Sequence, residues 1–170
     1  MGYDCYTRPR AKCDDYRTWR EENPNAYFRR NLSGGSYLAE ALIAAGMGFD
    51  AEQYVSVPRF PDADEYGVNY AEWKDEDGHW HAGYVGDRAG EYNAEVARVL
   101  AWHGPEIPGI PVHKVCGSND GWHVTKEECK AALGLYERHI AKGGQHPEAF
   151  GDDFIPFLRE SARGDGFEVH

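Results

Sequence analysis

The chain has 170 residues, of which 41% are hydrophobic and 14% are aromatic, and 29 acidic against 18 basic residues give a formal charge of −11. This length suits one domain that can bury a core without disulfides or metals, and the aromatic content argues against disorder. No apolar run approaches the ~18 residues that a membrane span needs. An acidic surface opposes the counterion release that drives binding to duplex DNA or RNA, so neither a membrane nor a duplex is an expected partner.

The first residues, Met1 to Tyr6, contain neither the apolar core of a signal peptide nor the Ser or Thr of a myristoylation site. We therefore expect a cytoplasmic protein, whose thiols meet a reducing compartment. The four cysteines form no CxxC pair, which favours free thiols over a structural disulfide, with Cys129 buried as a small apolar residue. They are Cys5, Cys13, Cys116 and Cys129.

The predicted elements of the first half begin with a strand over residues 2–7 and a short helix within residues 14–22. A helix of about three turns starts at Ser36, because apolar residues recur at helical spacing after serines that can cap and before Gly46, which can end it. Residues 68–73 and 79–85 are rich in β-formers and flank an Asp-Gly turn. That pattern predicts a β-hairpin.

The second half starts with a predicted helix over residues 91–103, which Gly104 and Pro105 end. Residues 112–116 and 122–124 flank a turn-rich segment, which indicates a second hairpin or a tight ligand-binding loop. Thr125 and Glu128 have the spacing of a capping box, so a helix follows and runs to Gly143-Gly144.

A last helix over residues 153–163, with Pro156 in its first turn, precedes a short strand over residues 166–169. Together these elements predict an α+β fold in a single domain over residues 1–170, with about four helices packed on a small, mostly antiparallel sheet.

Several short motifs give the chain a family resemblance. They are Tyr27-Phe28-Arg29-Arg30-Asn31, Ile110-Pro111-Val112-His113-Lys114, residues 118–125 and the ending over residues 157–169. In this order they resemble a group of uncharacterised proteins of actinobacteria and their phages, which start near M-G-Y-D and carry Y-F-R-x-N and N-D-G-W-x-V-T. The resemblance brings no catalytic residue with it. It implies a phage or phage-associated origin, a location in the host cytoplasm if the protein is phage-encoded, and a binder that interferes with a host system.

The common enzyme motifs are absent from the sequence. There is no GxxxxGK[ST], HExxH or GxSxG, no GxGxxG after a strand, and no PCxxC, which a zinc deaminase requires. No cofactor is predicted on this basis, and whether the protein is an enzyme stays open.

Histidines supply the candidates for catalysis and for a metal. His79 and His81 lie two apart on a predicted strand, so their side chains share a face and could share a metal ion. No third ligand has a recognisable spacing, and the alternative is an aromatic hairpin surface that half-buries both rings. A hydrolase would use His81 or His123 as its acid or base.

The segment from Lys114 to Thr125 is a candidate anion-binding site. Its turn presents backbone amides and short polar side chains just before a capped helix, whose N-terminus favours anions. An indole ring, an imidazole and an ammonium group would add stacking and charge. The alternative is an ordinary turn and capping box with the Trp in the core. The candidate ligand residues are Lys114, Asn119, Asp120, Trp122 and His123.

A second candidate segment precedes the Gly-Gly pair and the start of the first long helix. Guanidinium forks suit phosphate oxygens, and a neighbouring aromatic ring suits a flat base. The alternative is that Phe28 lies in the core and that the arginines pair with surface carboxylates such as Glu21 and Glu22. The candidate ligand residues here are Tyr27, Arg29, Arg30 and Asn31.

The leading interpretation is therefore a protein that binds a small, phosphate-bearing ligand, a nucleotide, and that could sequester a nucleotide signal of a host defence. One alternative is a histidine- or metal-dependent phosphodiesterase or other hydrolase. Another is a protein-binding module that uses exposed Trp and Tyr residues as hot spots. The sequence leaves open whether the protein forms a homo-oligomer.

Overall fold

The computed structural model describes residues 2–8, 16–117 and 121–170. The strands within these ranges are β1 (Gly2–Thr7), β2 (Tyr27–Asn31), β3 (Gly48–Phe49), β4 (Asn69–Lys74), β5 (Trp80–Val85), β6 (Ile110–Pro111), β7 (Trp122–Val124) and β8 (Phe167–Val169). The helices are α1 (Tyr16–Glu22), α2 (Leu32–Ala44), α3 (Ala63–Tyr66), α4 (Ala89–Leu100), α5 (His113–Cys116), α6 (Lys126–Ala141) and α7 (Phe154–Arg163), with short 3₁₀ helices at Ala51–Gln53 and Glu148–Phe150. The predicted α+β class is confirmed, and the substantial helices are α2, α4, α6 and α7.

The main sheet has four antiparallel strands in the order β2-β1-β8-β7. Cys5 lies opposite Phe28 on one side and opposite Val169 on the other, and all three are buried. Because side chains alternate along a strand, this inner face of the sheet forms the core while Asp4 and Tyr6 point to the other, outer face. The sheet therefore has one apolar face and one polar face.

Residue contacts group the described chain into two compact units. The first contains the residues up to Ser56 and from Gly104 onwards, including the main sheet, and its core holds Phe28 against Phe154 and Phe157 with ring centroids 5.1 and 5.5 Å apart. The second unit is Val57–His103 and contains α3, the hairpin and α4. The single-domain organisation stays a prediction.

Helix α2 begins four residues before the predicted start and uses a different cap. The side chain of Asn31 accepts the Gly34 N–H at 2.7 Å, so an asparagine, not a serine, caps the helix. The predicted end is confirmed. Gly46 has φ +66°, and the N–H groups of Gly46 and Met47 donate to the carbonyls of Ile43 and Leu42, which is a Schellman motif.

The hairpin predicted around the Asp-Gly turn is confirmed. Strands β4 and β5 pair antiparallel, with Lys74 opposite Trp80 at the loop and Asn69 opposite Val85 at the far end. Helix α4 ends at Leu100, before the predicted end at residue 103. Helix α6 has both hydrogen bonds of the predicted capping box, and α7 and β8 lie where the sequence places them.

The second predicted hairpin is wrong. Residues 113–116 form α5, and β7 pairs with β8, which is far away in the sequence. This pairing completes the four-stranded sheet, in which Trp122 and Val124 are buried. The turn of the alternative ligand loop, residues 118–120, lies outside the described residues. Among those described, no helix combines the length and the apolar character that a membrane crossing requires.

Candidate functional site

A groove of about 710 Å³ runs along the solvent side of α2 in the first unit. We call it the α2 groove. One wall is α2 with the end of β2, and the other is the 3₁₀ helix at Glu148–Phe150 and the residue after it. Its lining residues are Arg30, Gly34, Tyr37, Glu40, Ala41, Ala44, Glu148, Ala149 and Gly151.

The periodicity of α2 explains how its residues reach the groove. Gly34, Tyr37, Ala41 and Ala44 recur at intervals of three and four, so they form one stripe that extends about 15 Å along the helix. Leu38 belongs to the other side of α2 and is buried, whereas the Tyr37 side chain is 62% exposed. The stripe therefore combines one large exposed ring with small neighbours that leave space beside it.

Arg30 occupies the end of the groove next to the start of α2. Its guanidinium group donates two hydrogen bonds to the carboxylate of Asp153, at 2.8 and 3.3 Å, and a third to the Phe150 carbonyl at 3.1 Å. It also lies 4.1 Å from the centre of the Phe28 ring. The Arg30 side chain is 22% exposed, while Asp153 is 59% exposed. These contacts fix the position of the Arg30 side chain. Its guanidinium group already binds one anionic group, the carboxylate of the exposed Asp153 side chain.

The charges of the groove follow an order. The guanidinium group of Arg30 and the N-terminal turn of α2, which carries the positive end of the helix dipole, lie at one end. Glu40 lies about 9 Å further along α2, counted from Gly34. Glu148 faces α2 from the opposite wall. A ligand in the groove would therefore meet positive charge, an aromatic ring and carboxylates along its length.

Tyr27 and Arg29, two other predicted ligand residues, lie on the outer face of the sheet and not in the groove. The Tyr27 hydroxyl donates to the carboxylate of Asp4, and Arg29 forms an ion pair with the same carboxylate at 3.5 Å. Arg29 and Arg30 both pair with carboxylates, as the alternative predicts. Their partners are Asp4 and Asp153, not Glu21 and Glu22. Phe28 lies in the core, as that alternative also predicts.

His123 lies on the same outer face but at the opposite edge of the sheet, on β7. Its Nε2 is 2.7 Å from the Asp165 carbonyl oxygen. Edge strands β2 and β7 are three strand spacings apart, or about 14 Å, so His123 and Arg29 do not form one compact site.

The other residues predicted to bind ligand serve the fold. Trp122 is 3% exposed, and its ring centroid lies 4.9 Å from that of His113. Lys114 forms a buried ion pair with Glu128, and Asn31 caps α2. Asn119 and Asp120 lie outside the described residues. The structure thus brings Trp122 and Lys114 into the core rather than to a surface that a ligand could reach.

The two histidines of the first hairpin lie in the second unit, close to a carboxylate. His81 Nε2 is 2.7 Å from Asp75 Oδ2, and His79 Nδ1 is 3.5 Å from the same oxygen. The ligand atoms of Asp75, Asp77 and His79 all lie within 4.8 Å of one another. Among the residues that the structure describes, these three form a group that could hold a metal ion.

The groove contains three residues that the sequence does not predict as ligand contacts, which are Tyr37, Glu40 and Glu148. A signal for Tyr37 is present, since it is an aromatic residue that lies off the side of the helix occupied by Leu38 and Leu42, with alanines four and seven positions later. Nothing in the sequence indicates that Glu148 would face it from a segment more than a hundred residues away.

No protein-family model, no curated protein and no solved structure matches this chain. The function of the α2 groove therefore has to be inferred from its own chemistry, and the resemblance to actinobacterial and phage proteins stays a sequence-based expectation.

Proposed function

We propose that this protein binds a small, phosphate-bearing ligand, a nucleotide, in the α2 groove. The observation that carries the proposal is the order of groups along α2, with Arg30 at one end, the exposed Tyr37 ring next and Glu40 beyond it. The groove volume, about 710 Å³, is within the range of small-molecule sites.

The phosphate would lie at the Arg30 end. A guanidinium fork binds carboxylates and phosphates by the same pair of parallel hydrogen bonds, and here Asp153 occupies that position. Asp153 is largely exposed, so its side chain can rotate into solvent when a doubly charged phosphate takes its place. The positive end of the α2 dipole favours the same anion.

The base would stack on Tyr37. The exposed phenol ring offers a flat apolar surface, and Ala41 and Ala44 leave room beside it for a second ring. The carboxylate of Glu40 accepts hydrogen bonds only, so it suits ribose hydroxyls or an exocyclic amino group. A nucleoside lacks the anionic group for Arg30, and inorganic phosphate lacks the ring for Tyr37.

Calorimetric titration of the full chain with linear and cyclic nucleotides tests the proposal. We expect a nucleotide to bind more tightly than its nucleoside or inorganic phosphate. Tyr37→Ala should weaken binding roughly tenfold, the loss of one stacked base, and Ala44→Trp should weaken it by filling the groove. Tyr54→Ala is the matched control, since Tyr54 is 60% exposed and lies outside the groove. Equal affinity in all three variants, or no binding of any nucleotide, would contradict the proposal.

Chromatography of the nucleotide after incubation separates binding from turnover. Recovery of unchanged nucleotide is the expected result, and it supports a protein that sequesters a nucleotide, such as a host defence signal if the chain is phage-encoded. Appearance of a hydrolysis product would favour the hydrolase alternative.

A further inference from the structure

The loop that joins β4 and β5, together with the first residues of β5, contains four potential metal ligands within seven residues. They are Asp75, Asp77, His79 and His81. The first three have ligand atoms within 4.8 Å of one another, and His81 reaches the same carboxylate as His79.

The two oxygens of Asp75 have different roles. Oδ1 accepts the backbone N–H groups of Asp77 and His79, at 3.0 and 2.8 Å, which fixes the loop. Oδ2 faces the two imidazole rings, at 3.5 Å from His79 Nδ1 and 2.7 Å from His81 Nε2. An ion bound by Oδ2 and both nitrogens would therefore leave the loop hydrogen bonds intact.

Cross-strand packing orients His81. Its partner in the antiparallel register is Trp73, and the two rings stack with centroids 5.7 Å apart and planes inclined by 21°. This contact holds the imidazole on the face from which it reaches Asp75. Two imidazoles aimed at one carboxylate oxygen distinguish this loop from a cluster of exposed acidic residues.

We propose that Asp75, Asp77, His79 and His81 bind a divalent transition-metal ion of the Zn²⁺ class. Imidazole nitrogens with carboxylate oxygens suit Zn²⁺, Co²⁺, Ni²⁺ and Cu²⁺, whereas Ca²⁺ and Mg²⁺ prefer oxygen ligands alone. Asp75, Asp77 and His79 supply three ligands whose atoms already lie together, and His81, whose Nε2 is 2.7 Å from Asp75 Oδ2, would supply the fourth of a tetrahedral shell with bonds of about 2 Å. The ion would lock the hairpin loop to β5, and this proposal is independent of the α2 groove.

Titration of the full-length, metal-free protein with Zn²⁺ by calorimetry tests this site, with Mg²⁺ and Ca²⁺ as comparison ions. We expect one equivalent of Zn²⁺ to bind and the other two ions to bind at least tenfold more weakly. His81→Gln, His79→Gln and Asp77→Asn should each lower the Zn²⁺ affinity about tenfold or more. His103→Gln is the control, because His103 is another exposed histidine of the same unit and is expected to leave the affinity unchanged.

Two further measurements test whether the variants fold and which atoms bind the metal ion. Circular dichroism confirms that each variant folds, and with three separate ligand variants the failure of one still leaves two tests. The absorption spectrum of the Co²⁺-loaded protein distinguishes imidazole and carboxylate ligands from thiolates. Unchanged affinity in the folded ligand variants, an equal loss in His103→Gln, or a thiolate charge-transfer band would overturn the proposal.

Discussion

Glu128 connects the start of α6 to the buried ammonium group of Lys114. Its two carboxylate oxygens lie 2.7 and 2.9 Å from Lys114 Nζ, and one of them also accepts the Thr125 N–H at 2.7 Å. The same carboxylate therefore caps a helix and compensates a lysine whose side chain is only 3% exposed. A residue that the sequence offers as a ligand contact is thus part of the internal structure.

Breaking this pair from one side should destabilise the protein strongly. Lys114→Met leaves a partly buried carboxylate, and Glu128→Gln leaves a buried ammonium group, so each should cost about 3–5 kcal/mol of unfolding free energy. The double variant removes both charges and should cost much less than the sum of the single variants. Urea denaturation measures all three, and strictly additive losses would show that the two charges do not interact.

Removing the hydroxyl of Thr125 should have a smaller effect. Thr125 Oγ1 accepts the Glu128 N–H at 3.2 Å, and loss of such a cap typically costs about 1 kcal/mol. Thr125→Ser retains the oxygen and should recover most of that loss in the same denaturation experiment. If Thr125→Ala and Thr125→Ser have the same midpoint as the parent chain, the cap contributes nothing.

Trp122 and Arg29 should respond differently to truncation. Trp122→Ala removes a large buried ring and should lower the unfolding free energy by ~3–5 kcal/mol. Arg29→Ala removes an exposed partner of Asp4 and should cost at most about 1 kcal/mol. Thermal denaturation compares them, and equal losses would contradict the placement of Trp122 in the core.

The buried cysteines should resist alkylation in the folded protein without forming a disulfide. Among the described residues, Cys5, Cys116 and Cys129 are free thiols, while Cys13 lies outside them. Burial raises the pKa of the Cys5 and Cys129 thiols far above the ordinary value, which suppresses the reactive thiolate. Mass spectrometry should show both alkylated after denaturation alone. A requirement for prior reduction would indicate a disulfide instead.

His113 should make the stability depend on pH. Burial, together with the neighbouring Lys114 charge, lowers the pKa of His113 to about 4. The unfolded chain binds a proton near pH 6.5, so its histidine is protonated first as the pH falls. The contribution of neutral His113 is therefore fully present above about pH 6.5 and is lost as the pH falls toward about 4. His113→Gln should flatten the pH profile in this window, and an identical slope in both proteins would contradict the assignment.

Local sequence by itself determined the elements whose stabilising contacts lie within a few residues. The capping box joins Thr125 to Glu128, the Asp-Gly turn closes the first hairpin, and the Schellman motif at Gly46 ends α2. The groups that satisfy each other are neighbours in the chain, so their spacing is visible in the sequence. The predicted start of α2 is wrong by only four residues, because Asn31 and the serines after it all have side chains that can cap a helix.

Tertiary structure decided everything that depends on residues far apart. Strand β7 could have paired with residues 112–116, but pairing with β8 extends the main sheet and buries Trp122 and Val124 against the core. The α2 groove likewise needs Tyr37 and Glu148, which are far apart in the chain, to line the same cavity. Such contacts form because the whole chain buries the most apolar surface that its connections allow, and that condition is not contained in any local spacing.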